Sequence, residues 1–304
     1  MHPCLLRHGV QLNKNQSFVA CIADIISEFN PDTQSKIKTK VPSIKEMKEL
    51  IINALNLDNF MQYNNGNLIQ LFAIPELKDI NTKIRNPLYT SSQIYKSIDK
   101  SKSSQMIFLK KLVSAYENFI SFLRNDEIII DYTYLWDIIS MPNKNLFPNG
   151  INLVILDMVN NDITENVNII CPTNAYASSL FDINKYTLIL IRNDGYFEPI
   201  YALEDQKTNY NLTRLFNLKD TLPELKHTLR VIKNSIIENC KPLLSMPNTY
   251  KFKQNLIASR VLNLLIGNKY EISFQILNYN GRMFDLGFFF ETLLLDYILI
   301  WTTF

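Results

Sequence analysis

A chain of 304 residues, 47% hydrophobic and 20% charged, has the composition of a globular protein with an ample core, not of a disordered one. A net charge of +2 gives no overall electrostatic footprint for a polyanion, and seven glycines are too few to favour nucleotide folds built on Gly-rich loops. The four cysteines, Cys4, Cys21, Cys171 and Cys240, contain no C-x-x-C pair, and with His2, His8 and His227 they form no zinc-ligand spacing. The expectation is therefore no metal, no cofactor, and free buried thiols in a reducing compartment.

The N-terminal "MHPCLLRHGVQL" has no sustained apolar core and does not read as a signal peptide. The first strong element is "SFVACIADIISEF" (17–29), with Phe18, Cys21, Ile22, Ile25 and Ile26 at helical spacing, Ser17 placed as N-cap and Pro31 as the stop. "SIKEMKELIINAL" (43–55) is a second helix, its capping box formed by Ser43 and Glu46. Asn64-Asn65-Gly66 signals a turn. The polar, Lys/Ser-rich stretch 76–104 leads to the strongest amphipathic helix, 106–125. "DYTYLWDIIS" (131–140) reads as a short helix or aromatic anchor.

Strand patterns then take over. They cover 150–159, 166–172 after a turn at 160–162, and two strands within 185–203 joined by Asn193-Asp194-Gly195, a hairpin signal. Helices return at 222–240 and 252–267, followed by a strand at 271–281. The expected fold class is α+β: helices packed on a central, mainly antiparallel sheet over residues 1–207, a helical extension over 208–281 ending in a strand, and an atypical apolar tail over 282–304. That tail, "MFDLGFFFETLLLDYILIWTTF", carries Asp285, Glu291 and Asp296, and three acids argue against a membrane span. Two readings stay open for it: a buried or interfacial helix, or a segment not native to the fold.

The boundary at Asn15-Gln16-Ser17-Phe18 has the form that papain-like and ovarian-tumour-type cysteine hydrolases use for their nucleophile, at a helix N-terminus where the dipole lowers the thiol pKa. Such enzymes place the histidine base after a later strand–turn–strand, followed by an aromatic residue. The chain resembles that plan in outline, as a degenerate hydrolase fold, with Ser17 in place of Cys and Tyr196 in place of His, followed by Phe197. A serine without an adjacent base is not nucleophilic, and a phenol is a poor base near neutrality. Ser17 is thus a helix cap, the relic of a dead hydrolase, or a working nucleophile, in that order of preference. Asp157, Asp162, Glu165 and Glu198 imitate a nuclease metal site, but no Lys follows Asp157 or Glu198 as a restriction-type site requires; solvated turn acids are the simpler reading. Lys36/Lys38/Lys40, Lys100/Lys102 and Lys110/Lys111 could touch phosphates, but read more simply as solvated faces. Asp131, Tyr132, Tyr134 and Trp136 read as a core or interface anchor.

The segments "LLRHGVQLNKNQSFVACIADI", "DYTYLWDIISMPNKNLFPNGINLVIL", "NIICPTN", "GYFEPIY", "CKPLLSMPNTYKFKQN" and "FQILNYNG" together resemble the C-terminal half of large proteins of nucleocytoplasmic large DNA (giant) viruses that are similar to the poxvirus early transcription factor large subunit. The likeness runs to about Gly281 and stops where the odd tail begins. It implies a non-catalytic module acting in early viral transcription, in the virion and the host cytoplasm (viral factory). The implied partners are the viral RNA polymerase, an ATPase small subunit and promoter double-stranded DNA, with no membrane. The family protein is longer, so a fragment or one piece of a split gene is expected. No functional residue of the family transfers to a position here. A virion structural protein is the remaining alternative.

Overall fold

The structure is a computed structural model that describes residues 4–27, 40–73, 80–158, 167–172, 181–206, 209–218, 223–240, 272–279, 284–290 and 298–302. The chain divides into two units, Met1–Ser245 and Met246–Phe304.

The first unit opens with strand β1 (Cys4–Arg7) and helices α1 (Ser17–Ile26) and α2 (Ile44–Asn53). Short helical pieces follow: α3 (Leu57–Phe60), a 3-10 turn over Tyr63–Gly66, α4 (Asn67–Phe72), α5 (Ile80–Lys83), α6 (Pro87–Thr90) and α7 (Gln93–Ser97). The long α8 (Ser103–Arg124) and α9 (Tyr132–Ser140) complete the helical half. Then come β2 (Ile151–Met158), β3 (Val167–Ile170), β4 (Tyr186–Asn193), β5 (Tyr196–Gln206), β6 (Asn209–Thr213) and α10 (Pro223–Asn239). The class is α+β. The sheet has six strands in the order β1-β5-β4-β2-β3, with β6 also on β5. It is mixed: β2 and β4 run parallel, and the other pairings are antiparallel.

β4 reads as a continuous apolar run, Leu188–Ile191, because both of its faces are covered. Leu153, Ile155, Leu188, Leu190 and Phe197 point to the larger core, with α1, α2, α8 and α9. Val154, Ile189, Ile191 and Ala202 point to the other, where α10 lays down Leu225, Leu229, Ile232 and Ile236. The boundary expected near residue 208 falls inside the first unit, because β6 pairs with the long C-terminal half of β5 and α10 closes the sheet's second face.

Several local signals take the expected form. Ser43 accepts from the Glu46 N–H at 3.3 Å while Glu46 accepts from the Ser43 N–H at 2.7 Å, completing the capping box of α2. The Ser43 bonds hold the exposed Glu46 carboxyl below the usual range. Asp194 and Gly195 take φ of 47° and 79°, the positive pair that a two-residue hairpin requires. Trp136 is buried, and Tyr132 meets both Trp136 and Phe197 edge-on, so the aromatic–acid segment is a core anchor.

Two expectations are corrected. Cys171 and Cys240 are not free thiols: they form a disulfide, with Cα atoms 5.4 Å apart, because the chain leaving β3 and the chain leaving α10 meet there. Cys21 is a free, buried thiol. In the second unit, the apolar tail contains strands β8 (Phe284–Phe290) and β9 (Ile298–Thr302), which form an antiparallel sheet with β7 (Ile272–Tyr279), rather than a helix. Phe284, Leu286, Phe288 and Phe290 recur at period two, and aromatic residues around a glycine favour a strand over a helix. The turn at 160–162, the helix at 252–267, Pro31, Lys36, Lys38, Asp162 and Glu165 lie outside the described residues. Among the described residues, no helix is long and apolar enough to cross a membrane.

Gly150 enters β2 at φ +68°, and a Cβ there would stand 2.4 Å from the Ser140 carbonyl oxygen. Gly195 has φ +79° with open space around it. Gly150→Ala is expected to destabilise by about 3 kcal/mol and Gly195→Ala by about 1 kcal/mol in urea unfolding. Equal effects would show that Gly150 is not held by its neighbours.

Candidate functional site

The sequence singles out the meeting of the first helix with the hairpin, and the fold does bring them together. In an antiparallel pair, successive residues turn their backbone groups to alternate edges. Phe197, opposite Arg192 of β4, turns its N–H and C=O away from β4. β1 covers that edge of β5 at Ile200–Leu203, and beyond it the His8 N–H donates to the Pro199 carbonyl at 3.2 Å. At Phe197 helix α1 replaces the strand. The Phe197 N–H donates to Ser17 Oγ at 3.0 Å, and Cys21 Sγ donates to the Phe197 carbonyl at 3.3 Å. Residues 17 and 21 are one helical turn apart, so one face of α1 satisfies both backbone groups of one residue.

This revises the reading of Ser17. The N-cap of α1 is Gln16, and Ser17 is the first helical residue, with its hydroxyl turned to β5 instead of back onto its own helix. Ser17 is 1% exposed. Tyr196 lies beside the pair but points elsewhere: its hydroxyl donates to the Val10 carbonyl at 3.4 Å. Burial first, then the nearby Cys21 and Glu198, raise the phenol above its ordinary value, which keeps it protonated near neutrality. Burial also pushes the Cys21 thiol well up, helped by Asp24 and Glu198. His8 stacks on Tyr201 with ring centroids 4.7 Å apart. His227 is exposed on α10, which packs on the opposite face of the sheet from α1.

The polar run before α1 is structural throughout. Asn13 Oδ1 accepts the N–H groups of Asn15 and Gln16 at 3.0 and 3.1 Å. Asn15 Nδ2 donates to the Glu127 carbonyl at 3.0 Å, and Gln16 Nε2 to the Asn125 carbonyl at 2.8 Å. Lys48 of α2, 3% exposed, joins them: Nζ reaches Gln16 Oε1 at 3.3 Å, the Asn125 carbonyl at 3.1 Å and Asp126 Oδ1 at 2.6 Å. A second buried group forms around Asp24, which accepts from the Tyr201 hydroxyl and pairs with Arg214 Nε at 3.1 Å. The Arg214 guanidinium also lies 4.7 Å over the Tyr201 ring. Burial, then the bond to Asp24, raise the Tyr201 phenol. Asp24 further lines a cleft of about 340 Å³ with Ala20, Gly9–Gln11 and Lys40–Ser43.

Sequence reasoning passed over Lys48, Asp24, Tyr201 and Arg214. Lys48 left a readable signal: it stands four residues after Ile44 and three before Ile51, inside the apolar stripe of α2. The imitation metal site separates into ion pairs on either side of β4: Asp157 with Arg192 at 3.7 Å, and Glu198 with Arg7, whose Nε donates at 2.7 Å. Among the described residues, no three His, Cys, Asp or Glu side chains gather as a metal site. Compared with protein-family models, curated proteins and solved structures, the chain finds no match.

Ser17→Ala leaves the Phe197 N–H buried without its acceptor and is expected to cost about 1–3 kcal/mol, measured by urea unfolding. Ser17→Ala and Cys21→Ala should be non-additive in a double-mutant cycle, since they act on one residue. Cys21 and Tyr201 keep their protons in the fold beyond their ordinary values of 9.0 and 10.0, whereas the unfolded chain releases them there. Their contribution is complete below pH 9.0 and declines as pH rises above it. Tyr201→Phe should flatten the decline that begins near pH 10.0; an unchanged profile would exclude the phenol as its source.

Proposed function

We propose that this chain is a non-catalytic module of a viral early transcription factor of the large-subunit type, working through protein and duplex-DNA contacts. The observation that carries the DNA contact is a run of basic residues, several of them exposed, on the helical half. Between Ile80 and Lys111 the sequence holds Lys83, Arg85, Lys96, Lys100, Lys102, Lys110 and Lys111 against the single acid Asp99, in a chain whose net charge is only +2. Arg85, Lys96, Lys100 and Lys102 are exposed, and Lys110 and Lys111 are half-buried. The first turn of α8 carries no acid, so the positive end of its dipole adds to the lysines. Exposed Leu88 and Ile107 interleave with them. Such residues attract a phosphate backbone by releasing its counterions, without reading sequence.

The non-catalytic part of the reading rests on the commitment of Ser17. A buried hydroxyl that accepts a backbone N–H stands in the place where a hydrolase would keep an exposed nucleophile. The partners, by resemblance, are the viral RNA polymerase and the ATPase small subunit, and the setting is the virion and the viral factory. A second reading, an inactive hydrolase-type domain, is favoured by one observation: position 17, at the start of a buried helix, does lie against the hairpin strand bearing Tyr196.

Binding to an AT-rich duplex, followed by fluorescence anisotropy across a salt series, tests the first reading. Affinity should fall with salt, and Lys96→Gln/Lys100→Gln/Lys102→Gln should lower the log–log slope by roughly 2–3, about 0.9 for each lost phosphate contact. Undetectable binding at low salt removes the DNA contact. A covalent adduct at Ser17 with an electrophilic ubiquitin-type probe would overturn the non-catalytic assignment.

A further inference from the structure

The second face of the sheet is held differently from the first. Among the described residues it is covered by one helix, α10, through a single stripe, Leu225, Leu229, Ile232 and Ile236. The outer side of that helix is solvated, and even Val231 and Ile237 are more than half exposed. Cys240 follows directly on the last residue of α10 and is 3% exposed. Its disulfide partner Cys171 follows directly on β3, the edge strand of the sheet, and is exposed. The bond therefore fastens the far end of the covering helix to the rim of the surface it covers. It joins residues 69 apart in sequence, so it closes a long loop.

We propose that Cys171–Cys240 is a redox-controlled staple that sets whether the C-terminal half of α10 stays docked on the sheet. The exposed Cys171 offers the sulfur that a dithiol reductant can reach. One thiolate of the reductant attacks Cys171 Sγ, and Cys240 leaves as a thiolate and takes up a proton. The second thiol of the reductant then displaces Cys171, so two electrons and two protons pass to the protein and the reductant becomes a disulfide. In the reduced state α10 keeps its apolar stripe but loses its covalent tie. Its last turns, Ile232 and Ile236, open more often from Val154, Ile189 and Ile191. The large core contains α8 and no part of the staple, so it keeps its protection.

Hydrogen exchange of the full chain, read by mass spectrometry before and after treatment with a dithiol reductant, tests this. The oxidised protein should show Cys171 and Cys240 in one cross-linked peptide. Reduction should speed amide exchange over residues 229–239 at least about tenfold and leave 109–123 of α8 unchanged. Cys171→Ser/Cys240→Ser should match the reduced protein and no longer respond to reductant. Alkylation of Cys171 and Cys240 themselves in protein purified without reductant and treated with oxidised glutathione would overturn the proposal. So would unchanged exchange over α10, or equal acceleration of α8, which would make the bond a global brace and not a local staple.

Discussion

Everything in the first unit is organised around the bare edge of β5 at Phe197. A sheet edge buried against a helix is normally a liability, because its N–H and C=O groups find no partners there. Here the helix supplies them from its side chains, Ser17 for the donor and Cys21 for the acceptor. This lets α1 lie in the core with nearly every residue buried, something an ordinary amphipathic helix does not do. The anchoring continues upstream: Asn15 and Gln16 hold the loop after α8, and Lys48 ties that loop to α2. One short stretch of chain thus joins the hairpin, the long helix and the second helix.

The two faces of the sheet are built to different standards. The first is a wide core, with aromatic contacts running from Phe60 through Phe119 and Phe72 to Tyr134. It also carries buried polar links that fix the geometry of its helices. The second is a thin layer under one helix. Stability is expected to be graded accordingly, highest where α1 meets β5 and lowest around α10. The basic residues of α5–α8 belong to the side of the larger core.

Much of this was legible in the sequence. The capping box of α2, the positive-φ turn at Asp194-Gly195, the long amphipathic helix and the run of strands after residue 150 are local, and local chemistry specifies them. The meeting of Ser17 with the hairpin was anticipated from an outline, though for the wrong reason: the hydroxyl is a structural acceptor on a neighbouring strand, not a cap. What could not be read is non-local. The parallel register of β2 on β4 pairs Asn152 with Thr187 and Asp157 with Arg192 across strands far apart in sequence, and the residues between these pairs are uniformly apolar. The Cys171–Cys240 bond spans too long a loop for spacing to reveal it. The partners of Asp24 come together only in the fold, Tyr201 from β5 and Arg214 from just after β6.

Pro199 has a consequence of its own. It sits opposite His8, at the pair where the β1–β5 ladder would exchange two bonds, and its ring leaves only the carbonyl to take part. The strand zipper therefore stops at a fixed tooth. Sliding β1 two places further along β5 would ask an imide nitrogen for a proton it does not carry, and would push the chain into the space that α1 fills. A missing hydrogen thus serves as a ruler, marking where one kind of neighbour ends and another begins.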